Sequence, residues 1–175
     1  MIALIEPVLP GLRRYARSML RDAAEADDLV QDCLERAVAR WHQRRSDGDT
    51  RGWLYAICHN LAINRLRPTA HRGRHLTIDD APENAFSSAP AQEQSLLVDD
   101  VVRAMEDLPE DQRAVLLLVS VEDLSYAEAA AILDVPQGTV MSRLSRARSR
   151  LRNALAEGAS ISAPSSQTPR LRSVK

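Results

Sequence analysis

The sequence is poor in aromatic residues, glycine and cysteine. Its 175 residues include two Trp, three Tyr, one Phe, six Gly and two Cys. So few aromatics and glycines argue against a large β-sandwich, whose strands and turns draw on both. No Gly-rich phosphate loop is present. Cys33 and Cys58 cannot build a disulfide framework, and neither lies in a cluster with zinc-ligand spacing. No apolar run approaches the roughly 18 residues that span a bilayer. The opening MIALIEPVLPGLRRY has prolines where a signal peptide needs an unbroken apolar stretch, so a cytoplasmic chain without membrane insertion is expected. His42, His59, His71 and His75 stand in no catalytic spacing with Ser, Cys or paired carboxylates, so neither an enzyme nor a cofactor is expected.

Alanine, leucine and arginine dominate instead, and the expected fold is all-α. Hydrophobic residues make up 45% and charged residues 27%, the balance of a globular protein. A net charge of −1 conceals a separation along the chain. Residues 51–78 carry five arginines and no acid; residues 79–111 carry ten acids against Arg103 alone; residues 135–156 carry five arginines and no acid. Two basic blocks flanking an acidic one suit two surfaces for a polyanion, joined by a segment that repels it. Solvated helix faces in an arginine-rich chain are the plainer alternative, since lysine occurs once.

Helical periodicity lapses around Pro68, Pro82 and Pro90, with Ser87-Ser88-Ala89-Pro90 as a low-complexity centre. The expected organisation is therefore a helical domain over 1–67, an acidic flexible linker over 68–95, a second helical domain over 96–157 and a disordered tail over 158–175.

In the first domain, Ala26 to Trp41 reads as a helix with Val30, Leu34, Ala37 and Trp41 as its apolar stripe. Cys33 lies at the edge of that stripe and reads as a buried structural thiol. Asp28, Asp32 and Glu35 occupy the other side, as solvated surface or a docking face. After a polar loop, a second helix over 51–67 is expected to bury Leu54, Ile57 and Leu61. Asn60, Asn64 and Arg67 align about 90° away at i, i+4 and i+7, where amides and a guanidinium can bond base edges or phosphates.

The second domain is more specific. Ser125-Tyr126-Ala127-Glu128 is a capping box opening a short helix through Leu133. Asp134-Val135-Pro136 breaks it, and a new helix starts near Pro136, giving the pattern of a helix-turn-helix. In the new helix Val140, Leu144, Ala147 and Leu151 form the stripe to be buried. Gly138, Ser142, Ser145, Ser149 and Arg146 lie opposite. Arg148 and Arg152 flank one edge, Arg143 and Arg150 the other. Small side chains at the centre allow close approach to base edges, and shoulder arginines can clamp both phosphate rails of a major groove.

These segments resemble a family. Gly138-Thr139-Val140-Met141-Ser142-Arg143-Leu144-Ser145-Arg146-Ala147-Arg148 is similar to the signature of domain 4 in bacterial RNA polymerase sigma factors of the extracytoplasmic-function (ECF) group. Leu108-Pro109-Glu110-Asp111-Gln112-Arg113 resembles the opening of that domain. Asp28-Leu29-Val30-Gln31-Asp32 and the stretch from Trp53-Leu54 through Asn60 and Asn64 to Arg67 resemble two segments of sigma domain 2. The likeness covers about 130 residues, in order. The family often has Asp where Asn64 stands and a basic residue where Met141 stands. The stretch around Trp53 lacks the aromatic cluster with which primary sigma factors separate strands, so Trp53 is expected in the core.

The resemblance implies a subunit that directs core RNA polymerase to promoters. Asp28, Leu29, Gln31 and Asp32 would dock on the clamp helices of the β′ subunit, within the β and β′ surface of the enzyme. Ser46, Asp49 and Thr50 with Asn60 would hold a flipped −10 base, and Asn64 and Arg67 would line that strand. Thr139, Met141, Ser142, Ser145 and Arg146 would engage the −35 element, with Arg143 and Arg148 neutralising phosphates. The acidic linker would thread channels that otherwise hold nucleic acid. An anti-sigma factor is an expected partner, and the chain would join the nucleoid when bound to polymerase. An ordinary helix-turn-helix regulator would account for 108–156 but not for the first domain. A sigma-mimicking adaptor that titrates an anti-sigma factor usually carries a receiver domain, for which no length remains, and loses the DNA-reading arginines present here.

Overall fold

The computed structural model describes residues 1–44, 49–67 and 100–161, with side chains through 156. The expected linker and residues 162–175 lie outside this description. Among the described residues every regular element is helical, as expected. After a single turn α1 (Ile2–Ile5) and a 3-10 turn (Glu6–Val8), helix α2 (Leu9–Leu20) starts with Pro10 in its first turn, where a missing N–H costs nothing. It stops at Arg21, whose left-handed backbone (φ 64°) turns the chain back. The Asp22 carboxylate then caps α3 (Ala23–Ala39) by accepting from the Glu25 N–H at 2.8 Å, a contact typically worth about 1 kcal/mol. Helix α4 (Thr50–Leu66) begins the same way, with Asp49 accepting from the Arg51 and Gly52 amides at 2.9 and 2.7 Å.

α2, α3 and α4 pack on one another around Leu12, Tyr15, Met19, Leu29, Cys33, Leu54 and Tyr55, all buried. α3 is rotated from the expected register: Ala26, Leu29, Val30, Cys33 and Ala37 are buried, whereas Leu34 and Trp41 are only half-buried. The cause is that α3 is covered by α2 on one flank and α4 on the other, which widens its buried face beyond a single stripe. Cys33 is buried as expected and donates its thiol to the Leu54 carbonyl at 3.6 Å. The Cys33 thiol and burial together push the Cys58 thiol up from its ordinary range, which keeps it un-ionised and unreactive. Ile57 is half-buried; Tyr55 and Cys58 take the central positions on α4 instead.

The second half comprises α5 (100–106), α6 (Glu110–Leu116), a wide π turn (Leu117–Val121), α7 (Tyr126–Leu133) and α8 (Gln137–Ile161). The capping box closes as expected: the Glu128 N–H donates to Ser125 Oγ at 3.2 Å and the Ser125 N–H to Glu128 Oε2 at 2.7 Å. That bonding holds the Glu128 carboxyl below its ordinary pKa. Asp134 adopts the left-handed conformation (φ 52°) that ends α7, a role short polar side chains tolerate. α8 continues to Ile161, past the Gly158 at which the helix was expected to end.

The two halves are not independent bodies. α4 lies against α7, and one continuous core runs from Leu12 and Tyr55 to Leu118, Val140 and Leu144. Arg113, 3% exposed, ties the halves at the backbone. Its guanidinium donates to the Ser18 and Met19 carbonyls at the end of α2 (3.2 and 3.1 Å) and to the Glu106 and Leu108 carbonyls after α5 (3.1 and 2.8 Å). Two helix C-termini, each with unpaired carbonyls and a negative dipole end, thus share one buried cation.

Candidate nucleic-acid interface

The residues expected to engage the −35 element lie on α8. Val140, Leu144 and Ala147 are buried and Leu151 half-buried, so the expected stripe is the one that packs. Gly138, Met141, Ser142, Ser145, Arg146 and Ser149 are consequently exposed, and Met141 is 50% exposed. Small residues dominate this ridge, which stays exposed among the described residues. Ser142 spends its hydroxyl locally, donating to the Thr139 carbonyl at 3.0 Å. Thr139 itself is half-buried, its N–H bonded to the Pro136 carbonyl at 2.8 Å, so it shapes the start of α8 more than it faces outward. On the shoulders Arg143 is half-buried and paired with Asp111 at 3.1 Å, and Arg148 is exposed, within 3.4 Å of the Ser120 hydroxyl. A shallow cleft of about 340 Å³ runs beside the ridge between Tyr126, Met141, Ser145 and Arg148.

The −10 candidates divide into three groups. Asn60 and Asn64 are exposed on α4, one turn apart; Arg67, also exposed, follows Leu66 as the C-cap, where the backbone has left the helix for an extended conformation. Asp49 and Thr50 sit at the start of the same helix. There the Asp49 carboxylate is committed to capping two amides and Thr50 is half-buried. Ser46 lies outside the described residues. Trp53 is half-buried, meeting Trp41 edge to face at 6.0 Å between centroids, with the Arg44 guanidinium over the Trp41 ring at 4.9 Å. It therefore belongs partly to the core and partly to a cleft facing α7.

Of the docking candidates, Asp28 and Gln31 are exposed on α3, with Gln31 donating to Glu35 at 3.1 Å. Asp32 is half-buried and accepts from Arg65 at 2.5 Å. Leu29 corrects the expectation: it is fully buried. It lies on the face of α3 that packs against α2 and α4, about 100° from Asp28, so it supports α3 from within and presents nothing to a partner.

Sequence reasoning missed the cluster between the halves. Glu122, 3% exposed, leaves the π turn and enters the first half. Arg14 of α2 donates to its Oε1 through Nε at 2.8 Å and Nη2 at 2.7 Å; the Tyr55 hydroxyl donates to Oε2 at 2.6 Å. Arg51 lies 3.8 Å from Oε2 and also donates to the Glu122 carbonyl. Burial, reinforced by the bond to Glu122, pushes the Tyr55 phenol far above its ordinary value. Beside it, Tyr15 and His59 Nδ1 are 2.8 Å apart, and burial, aided by the Arg143 charge, lowers His59 to a pKa of about 4. The one signal available in the sequence was an acid directly after the apolar run Val115 to Val121.

Two helical units, the second ending in a helix-turn-helix with an unburied reading face, define the class: a two-domain transcription factor. Comparison with known proteins makes it specific. Residues 5–59 match the model of the sigma2 domain of PhyR, and residues 99–151 match sigma-70 region 4. The chain is 36% identical over 146 residues to the ECF RNA polymerase sigma factor EcfG of Rhodopseudomonas palustris, covering 82% of this chain and 78% of that one. It is 33% identical to the sigma-E factor of Escherichia coli, covering 75% and 74%. Its structure resembles that of the sigma factor RpoE of Bartonella quintana, solved in complex with the anti-sigma factor NepR. The TM-score is 0.70 at 35% identity, over 87% of this chain and 94% of that one. The chain belongs to the ECF RNA polymerase sigma factors. About half of the anti-anti-sigma factor PhyR of the same organism has a similar fold, with a TM-score of 0.56 at 22% identity over 86% of this chain and 49% of that one.

Proposed function

We propose that this sigma factor binds core RNA polymerase through the exposed Asp28 and Gln31 and the Arg65-held Asp32, and directs it to promoters with −35 and −10 elements. Residues 1–67 act as domain 2, 68–95 as the linker and 96–157 as domain 4. Asn60, with the loop that ends at Asp49, captures a flipped −10 base, a step that costs a few kcal/mol and is offset by bonding the extruded edge. Asn64 and Arg67 follow the same strand. Met141, Ser142, Ser145 and Arg146 read the −35 major groove, while Arg143 and Arg148 neutralise phosphates. The factor works in the cytoplasm, on the nucleoid when polymerase-bound, and is restrained by an anti-sigma factor. The observation that carries this reading is α8: an exposed small-residue ridge, backed by a packed apolar stripe and edged with arginine, on a capped helix-turn-helix. Titration of labelled protein into core polymerase tests it. Saturable binding that confers promoter-dependent initiation supports the proposal; absence of binding overturns it.

A second reading is favoured by the PhyR-type match over 5–59: a sigma-like adaptor that titrates an anti-sigma factor. It requires no promoter recognition. A chain that binds an anti-sigma factor but leaves core polymerase inactive at every promoter would establish it.

A further inference from the structure

The Glu122 cluster has a feature that interdomain packing alone does not require. Arg14 and Arg51 come from different helices of domain 2, and Tyr55 adds a hydroxyl. All three converge on a single carboxylate supplied by domain 4. Among the described residues, every ion pair of Arg14 and Arg51 is made to Glu122, so domain 2 provides no acid of its own for either. The backbone beneath is also cleared. A Cβ at Gly11, in the first turn of α2, would overlap the Tyr55 hydroxyl and stand 2.6 Å from Glu122 Oε2. The result is a cradle for an oxyanion: two guanidiniums, one hydroxyl and a bare stretch of helix.

Promoter geometry says when the cradle empties. Elements at −35 and −10 are about 25 base pairs apart, roughly 85 Å at 3.4 Å per step. Domains that touch through α4 and α7 cannot read both at once. When they part, Glu122 withdraws and leaves two neighbouring guanidiniums unneutralised. Both already reach solvent, with side chains 38% and 41% exposed. Arg51 also sits in the first turn of α4, one residue from the Thr50 assigned to the −10 pocket. Guanidinium forks bind phosphate and carboxylate with the same geometry.

We propose that Arg14, Arg51 and the Tyr55 hydroxyl form a site for a phosphodiester of promoter DNA, which Glu122 occupies as the chain's own competitor while the domains are closed. The site deepens the promoter-binding reading and rests on it. Its test uses the free full-length chain without polymerase, so that failure of core binding and failure of this site are separate results.

The measurement is anisotropy of a labelled single-stranded oligonucleotide titrated with wild type, Glu122→Gln, and Glu122→Gln combined with either Arg14→Ala/Arg51→Ala or Gly11→Ala. Circular dichroism confirms that each variant keeps its helicity. Glu122→Gln should tighten binding about tenfold and steepen the salt slope by about 0.7, one additional phosphate contact on a single strand. Removing the two arginines, or filling the cradle with the Gly11→Ala methyl, should cancel both gains; Arg14→Lys/Arg51→Lys, which keeps the charges without the guanidinium forks, should restore the salt slope and only part of the affinity. Unchanged affinity and slope in Glu122→Gln would overturn the proposal, as would a gain that survives loss of both arginines. An additional arm uses inorganic phosphate: if it raises the melting temperature of Glu122→Gln while DNA affinity is unaltered, the site takes a small anion and the DNA assignment is wrong.

Discussion

Arg65 of α4 holds Asp32 of α3 at 2.5 Å, so an acid on the proposed polymerase-docking face is positioned by the helix that carries the −10 candidates. Both side chains are partly exposed, at 29% and 47%, and the pair contributes at most about 1 kcal/mol to stability. Its value lies in fixing where the carboxylate points. Asp28→Lys/Asp32→Lys should therefore weaken core-polymerase binding by at least tenfold, or about 1.4 kcal/mol, with unchanged helicity. Arg65→Ala should cost much less, because Asp32 remains. Polymerase titrations that leave the double reversal at wild-type affinity would remove α3 from the docking surface.

Leu29, next to Asp28 in sequence, should behave in the opposite manner. Leu29→Ala empties part of the core between α2, α3 and α4 and should lower folding stability by about 2 to 5 kcal/mol. Denaturant melts check this. A variant of native stability that nonetheless loses polymerase affinity would return Leu29 to the interface.

Asn60 is exposed and free to meet a base edge, whereas Asp49 is occupied as a helix cap. Asn60→Ala should reduce promoter opening and relax preference at one −10 position by about 1 to 3 kcal/mol. Asp49→Ala should act through the start of α4, losing about 1 kcal/mol of stability and affecting all promoters alike. A scan of promoter variants separates the two; retained base preference in Asn60→Ala contradicts its assignment.

His59 makes folding pH-dependent. Its pKa falls from 6.5 to about 4 in the folded chain, through burial first and the Arg143 charge second. Between these values the unfolded chain takes up the proton and the folded chain does not, so stability declines as pH drops from 6.5 towards 4. The full loss amounts to about 3 kcal/mol. His59→Gln, which keeps an acceptor near Tyr15, should flatten that part of the stability profile. Identical wild-type and variant slopes would show that the ring does not titrate as described.

The all-α class, the capping box and the register of α8 were legible because each rests on local signals: composition, a four-residue cap and a 3.6-residue stripe. Asn60 and Asn64 share a face of α4 for the same reason, whereas the helix ends one residue before Arg67. The rotation of α3 was not legible, because Ala26 and Leu29 are drawn inward by two flanking helices that no window of one helix contains. Glu122, Arg14, Arg51 and Arg113 were hidden for a related reason. Their partners lie 108, 71 and about 95 residues away, across a domain contact. The wide turn at 117–121 that aims Glu122 leaves no mark in a segment of Leu and Val interrupted only by Ser120.

The proposed function stands or falls on promoter direction by the exposed faces of α4 and α8. Run-off transcription with core polymerase and the full-length chain, over templates varied at −35 and −10, tests it most directly. Transcription should depend on the chain and on both elements. Arg146→Ala should lose discrimination at one −35 position by about 1 to 3 kcal/mol, while Arg148→Ala should weaken all templates alike and lower the salt slope by about one unit. Initiation that ignores both elements, or a base preference altered by Arg148→Ala and not by Arg146→Ala, would contradict it.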